Sequence, residues 1–184
     1  MSPRISGGSL NSRKLRSPKG ANVRPTPGRV KESLFAILAE RLEGARVLDL
    51  FAGTGAIGFE AASRGAGRVV SVESHRETAT AIGEAARELG VDRVVTVFPA
   101  PVERALYRLE GPFDIVYLDP PYAHPLPANV FALLLERGLL APGALVVYEH
   151  AARTILPEIP GYRSVREEVY GDVALAFLTL QSPS

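Results

Sequence analysis

Asp119-Pro120-Pro121-Tyr122 places a carboxylate, two donor-free backbone units and an aromatic ring in four consecutive positions. This combination suits recognition of a planar group that carries an amine. The Asp119 carboxylate and the Asp119 or Pro120 carbonyl can accept N–H bonds, while the Tyr122 ring lies against the flat face. The prolines fix φ and offer no competing N–H, so the acceptors are aimed in advance. The bland alternative is a strand stopped by two prolines and capped by an aspartate. A four-residue motif alone does not decide between them.

The elements around the motif carry more weight. The apolar run Phe113-Asp114-Ile115-Val116-Tyr117-Leu118 reads as a buried strand, so the motif falls on its C-terminal edge, where open α/β sheets bind ligands. A second segment, Asp49-Leu50-Phe51-Ala52-Gly53-Thr54-Gly55-Ala56-Ile57-Gly58, leads from a strand over residues 46–50 into a helix. Its small residues allow a tight turn and close approach of a ligand to the helix's free N–H groups. Glu73 ends the next strand, twenty residues beyond Gly53, where an acid can accept both hydroxyls of a ribose.

Gly53, Gly55 and Gly58 match the dinucleotide-binding spacing, which leaves a nicotinamide-dependent oxidoreductase open. Two features argue against it. Asp49 sits awkwardly beside a pyrophosphate but suits the ammonium and sulfonium of S-adenosylmethionine, and hydride transfer has no use for the amine-reading motif.

Strand and helix signals alternate along the chain. Pro25-Thr26-Pro27 opens a helix, with Thr26 as N-cap and Pro27 at the first helical position, and Val30, Leu34, Ile37, Leu38 and Leu42 form its apolar stripe. Strands follow at 46–50, 68–72, 94–98, 113–118 and 144–148, alternating with helices at 56–64, 76–89, 102–109 and 126–137. Two last strands, 162–170 and 173–180, join at Gly171-Asp172. The expectation is an α/β fold: a seven-stranded, doubly wound, mostly parallel sheet with a C-terminal antiparallel hairpin and a small basic β-hairpin at the N-terminus.

With 184 residues, the chain suits one domain. It has no cysteine, which excludes disulfides and thiolate chemistry, and His75, His124 and His150 are scattered, so no metal is expected. The histidines read as surface or turn residues. No apolar run is long enough to span a bilayer, and the cytoplasm is the default compartment. The net charge of +1 conceals an asymmetry. Residues 1–31 hold eight of the 21 basic side chains and no acid, leaving 13 basic against 20 acidic residues elsewhere. Such a split points to a polyanion-binding arm on an acidic body; a solvated tail is the plainer reading. Residues 1–24 are expected to form this polyanion-binding extension and 25–184 the α/β domain.

Loop and amine motif together resemble the class I S-adenosylmethionine-dependent methyltransferases, and Asp-Pro-Pro-Tyr is similar to the motif of those that methylate exocyclic amines of bases. Ile5-Ser6-Gly7-Gly8, Arg13-Lys14-Leu15 and Arg24-Pro25-Thr26-Pro27-Gly28-Arg29-Val30-Lys31-Glu32-Ser33-Leu34-Phe35 resemble the opening of the bacterial small-subunit rRNA guanine-N2 methyltransferases, the RsmD family. The resemblance runs from about Arg4 to Glu149. It makes residues 1–24 an RNA-binding extension and 25–184 a methyltransferase domain. It implies S-adenosylmethionine as cofactor and, as substrate, the guanine at position 966 of 16S rRNA in the small ribosomal subunit or its assembly intermediate. Asp119, Pro120, Pro121 and Tyr122 are then expected at the target base. Asp49, Phe51, Ala52, Gly53, Thr54, Gly55, Glu73, Ser74 and Ala100 would surround the cofactor, with Thr26 and Arg29 on a helix closing over it. Arg4, Arg13, Lys14, Arg16 and Arg24 would hold RNA phosphates, and a monomer suffices. The stretch Val97-Phe98-Pro99-Ala100-Pro101-Val102 lacks the Asp or Asn that many relatives use for the cofactor's adenine, so backbone groups near Ala100 are expected there. An adenine-N6 methyltransferase and a non-enzymatic RNA-binding module stay open as alternatives.

Overall fold

Periodic apolar runs punctuated by glycine and proline fold here into alternating strands and helices. The computed structural model describes residues 3–15, 27–121 and 127–181. Its elements are α1 (Gly28–Leu38), β1 (Arg46–Leu50), α2 (Ala56–Ser63), β2 (Arg68–Glu73), α3 (Arg76–Glu88), β3 (Val95–Pro99), α4 (Val102–Leu106), β4 (Phe113–Leu118), α5 (Ala128–Glu136), β5 (Leu140–Ala151), β6 (Tyr162–Tyr170) and β7 (Val173–Leu180).

The sheet has the order β3-β2-β1-β4-β5-β7-β6. β1 to β5 run parallel, while β7 lies antiparallel between β5 and β6. Helices cover both faces. Val47, Val69, Ile115 and Val147 pack under α1, α2 and α3, and Leu48, Val70, Val116 and Val146 pack under α4 and α5. A strand buried on both sides has no solvent face, which is why β1 and β4 read as nearly unbroken apolar runs. Each fully buried Val or Leu contributes roughly 1.5–3 kcal/mol, enough in sum to hold the loop between β1 and α2 in a conformation it would not choose alone.

Strand order reverses between β1 and β4, so the segments leaving these neighbours diverge and open a crevice at the C-terminal edge. Leu50 pairs with Leu118, so Phe51 and Asp119 are the next residues on adjacent strands.

Several expected boundaries shift. Pro27, not Thr26, is the N-cap of α1, with ψ near 140° still outside the helix. α4 ends at Leu106 and α5 begins at Ala128. β5 starts at Leu140 rather than 144, because Phe113 pairs with Leu140 before a register irregularity that accommodates Pro142 and Gly143. Among the described residues the N-terminal hairpin is one antiparallel bridge, Arg4 with Lys14, closing over a 3-10 turn at Gly8–Leu10. His150 is buried, because β7 continues alongside it (opposite Ala174) and the Tyr148 ring stacks on its imidazole at 5.4 Å. His75 is exposed. Tyr122, His124, Arg16, Arg24 and Thr26 lie outside the described residues.

Candidate active site

The loop after β1 curls through three left-handed residues: Phe51 at φ +63°, Gly53 at +54° and Gly55 at +74°. Two are glycines, for which this conformation has no steric cost. Phe51 is not, and a bulky side chain held there costs about 1–3 kcal/mol, borne by its packing against the α4 and α5 layer. Hydrogen bonds fasten the curl: Ala52 N–H to the Val72 carbonyl (2.9 Å) and Gly55 N–H to the Ala52 carbonyl (2.8 Å). Thr54 is buried beside them.

Glu73 ties the loop to β2. Its Oε2 accepts the Gly53 N–H at 2.8 Å and its Oε1 the His75 N–H at 2.7 Å. Each carboxylate oxygen can accept a further bond, so the side chain keeps acceptor capacity for a pair of hydroxyls. Ser74 follows, exposed. Glu73 pairs with Pro99, which brings the end of β3 alongside. Pro99 and Pro101 have no N–H, and the Ala100 N–H donates to the Phe98 carbonyl at 3.0 Å. Ala100 therefore supplies a small buried wall there and not a free amide donor.

Beneath the loop, Asp49 is buried and its Oδ2 accepts the Gly58 N–H at 3.2 Å. Burial pushes its carboxyl up to about 7, against the pull of that N–H, and the Glu73 charge adds to the rise. Such a group ionises readily once a cation arrives. Close packing of α2 on the sheet depends on Gly58, where a Cβ would lie 2.7 Å from Ser71 Oγ and 3.4 Å from Asp49 Oδ2.

On the other side of the crevice Asp119 is half-buried, Pro120 buried and Pro121 exposed. The Tyr148 phenol is held above its usual range by burial and by the negative charge of Asp119, which places the two groups within each other's field. Behind them the Tyr117 hydroxyl donates to the buried Glu149. Asp49, residues 51–55, Glu73, Ala100 and Asp119 thus gather at one edge of the sheet. Among the described residues no group of His, Asp or Glu is arranged to hold a metal, and no helix is long and apolar enough to cross a membrane.

The chain is 37% identical over 174 residues to the ribosomal RNA small subunit methyltransferase D of Escherichia coli, covering 93% of this chain and 86% of that one. The family model described as Conserved hypothetical protein 95 matches residues 3–179. The chain belongs to the methyltransferase D family. The solved structure of yhhF, a candidate methyltransferase of Escherichia coli, superposes with a TM-score of 0.89 at 32% identity over the whole of both chains. An RNA methyltransferase of Salinibacter ruber, solved with S-adenosyl-L-homocysteine, shares the fold with a TM-score of 0.69 at 21% identity, over 88% of this chain and 96% of that one.

Within this family member Arg4, Arg13 and Lys14 belong to the N-terminal loop and not to the strand ends that form the crevice. Arg4, Arg13 and Lys14 are exposed on a loop docked against α1 and α2, anchored by the buried Ile5 and Leu15. Arg29 is exposed on the first turn of α1. Sequence reasoning missed Tyr148, Glu149 and Glu60. Of these only Glu60 carried a signal: a lone acid in the small, apolar segment Phe59-Glu60-Ala61-Ala62 is a candidate buried charge.

Proposed function

We propose that this methyltransferase transfers a methyl group from S-adenosylmethionine to the exocyclic N2 amine of a guanine in 16S rRNA, on the small ribosomal subunit or its assembly intermediate. The observation that carries this reading is the juxtaposition at the β1/β4 switch point: a strained loop tied to Glu73 on one side, Asp119-Pro120 on the other.

The residues fit the cofactor. Glu73 has acceptor capacity for ribose hydroxyls, residues 51–55 let a ligand approach the backbone, and buried Asp49 suits a ligand that brings positive charge. When bound, S-adenosylmethionine supplies an electrophilic methyl group. The chain's own part is to present the nucleophile. A guanine N2 lone pair is delocalised into the ring. Acceptors at the Asp119 carboxylate and the Asp119 or Pro120 carbonyl can take its two hydrogens and favour the pyramidal nitrogen, which stabilises the transition state over the planar ground state. The Asp119 carboxylate can then take the proton that the methylated nitrogen gives up. Pro121 has no N–H to compete for the acceptors, and Tyr122 would stack on a base swung out of its helix. Arg4, Arg13 and Lys14, with Arg16 and Arg24, would hold flanking phosphates as an RNA-binding extension, while Thr26 and Arg29 would close over the cofactor. No step calls for a metal.

Calorimetric titration tests the cofactor half of this reading. S-adenosylmethionine and S-adenosylhomocysteine should bind saturably and NAD should not; the reverse would overturn the assignment.

A further inference from the structure

Glu60 is fully buried on α2, and none of its hydrogen-bond or ion-pair partners is a crevice residue. Donors from three segments converge on it. Lys31 Nζ of α1 lies 2.8 Å from Oε2, and Arg64 Nε lies 2.9 Å from Oε1. From the N-terminal loop the Ser6 N–H donates to Oε2 at 2.8 Å and the Ser6 hydroxyl to Oε1 at 3.1 Å. Burial would raise its pKa, but Lys31, the Ser6 N–H and Arg64 together hold it below the ordinary glutamate range.

Around this carboxylate the loop is clamped to α2 and α1. The Ser63 hydroxyl donates to the Gly7 carbonyl (2.5 Å) and accepts the Leu10 N–H (2.9 Å), and Lys31 also donates to the Arg4 carbonyl. Gly8, at φ +74°, sits so close that a Cβ would lie 1.8 Å from the Ser63 carbonyl oxygen. Arg4 and Lys14 are bridged to each other, and Ile5 and Arg13 share a 3.0 Å main-chain bond, so the exposed cations are fixed on one small frame.

We propose that Glu60 is a positioning residue for RNA: by clamping residues 4–15 onto α2 it holds Arg4, Arg13 and Lys14 as a fixed cationic edge for the phosphates of the substrate strand. The inference rests on the RNA-binding reading of this extension. α2 starts at the cofactor loop and is only about 12 Å long, so the clamp also sets the edge at a constant offset from the crevice. A loop ordered beforehand loses less conformational entropy when it binds than a free basic tail does.

The test compares Gly8→Ala, which blocks docking while leaving Lys31, Glu60 and Arg64 paired, with Arg13→Ala/Lys14→Ala and with all three substitutions combined, in the full chain. KM for small-subunit particles, its salt dependence, kcat and S-adenosylmethionine affinity are measured. Arg13→Ala/Lys14→Ala should flatten the log–log salt slope by about 1–2. Gly8→Ala should raise KM about tenfold with kcat and cofactor affinity nearly unchanged, and the combination should be no worse than the stronger of the two, because coupled groups are not additive. If the charge variant weakens RNA binding but Gly8→Ala does not, or if the effects multiply, the positioning role is overturned and the RNA reading stands. If the charge variant has no effect, the RNA reading itself fails. Parallel loss of cofactor affinity in Gly8→Ala would make the clamp merely structural and overturn the proposal.

Discussion

Glu73 Oε2 accepts the main-chain N–H of Gly53 at 2.8 Å, so the acid ending β2 holds the loop that leaves β1. One side chain therefore shapes the loop of residues 51–55 and, in the proposed reading, also accepts the hydroxyls of the cofactor's ribose. Glu73→Gln turns one acceptor into a donor that faces either the Gly53 or the His75 N–H. S-adenosylmethionine affinity should fall by about 1.5–3 kcal/mol, the size of a hydrogen bond to a charged group, with a far smaller change in Tm. Calorimetry and thermal melts on one sample check both.

Asp119→Ala should reduce methyl transfer by about 10²–10³, comparable to loss of one transition-state acceptor or donor, and leave cofactor affinity within about twofold. Single-turnover rates separate the two quantities. Equal loss of both would make Asp119 structural.

Asp49 sets a pH dependence. Its folded carboxyl is raised to about 7 from 3.8, so between those values the folded protein holds a proton that the unfolded chain has released. Its contribution to stability therefore falls as pH rises from about 4 to 7 and is level above that. A cationic ligand favours the ionised form. Cofactor affinity should thus climb as pH rises toward about 7 and level off above it, and Asp49→Asn should flatten that climb. An unchanged profile in the variant would remove Asp49 from the account.

Gly58→Ala drives a methyl group to 2.7 Å from Ser71 Oγ and should cost about 1–3 kcal/mol by overpacking. The Ser71 hydroxyl is buried without a hydrogen-bond partner among the described residues. Ser71→Ala should therefore be nearly neutral alone and should restore part of the loss, as read from urea denaturation of the single and double variants.

The crevice was legible because its parts are local. A buried parallel strand is a continuous apolar run, and glycine or proline marks its end, so β1, β2 and β4 and the residues at their tips follow from the chain itself. β5 was harder. Pro142 and Gly143 look like breakers, yet pairing with Phe113 carries the strand back to Leu140. The burial of His150 depends on β7, which lies beside it only in the folded sheet. Glu60 has a single local partner, Arg64, and its other partners, Lys31 and Ser6, are brought to it only when α1 and the N-terminal loop dock. Hydrogen bonding within its own turn also occupies the Ala100 N–H, a detail that depends on backbone geometry and not on residue type.

The most direct measurement supplies methyl-labelled S-adenosylmethionine and small ribosomal subunits lacking the modification to the purified protein, then digests the RNA to nucleosides. Label in N2-methylguanosine, abolished by Asp119→Ala, is the predicted result. Label in N6-methyladenosine, or none despite saturable cofactor binding, would contradict the assignment of Asp119-Pro120 to a guanine N2 amine.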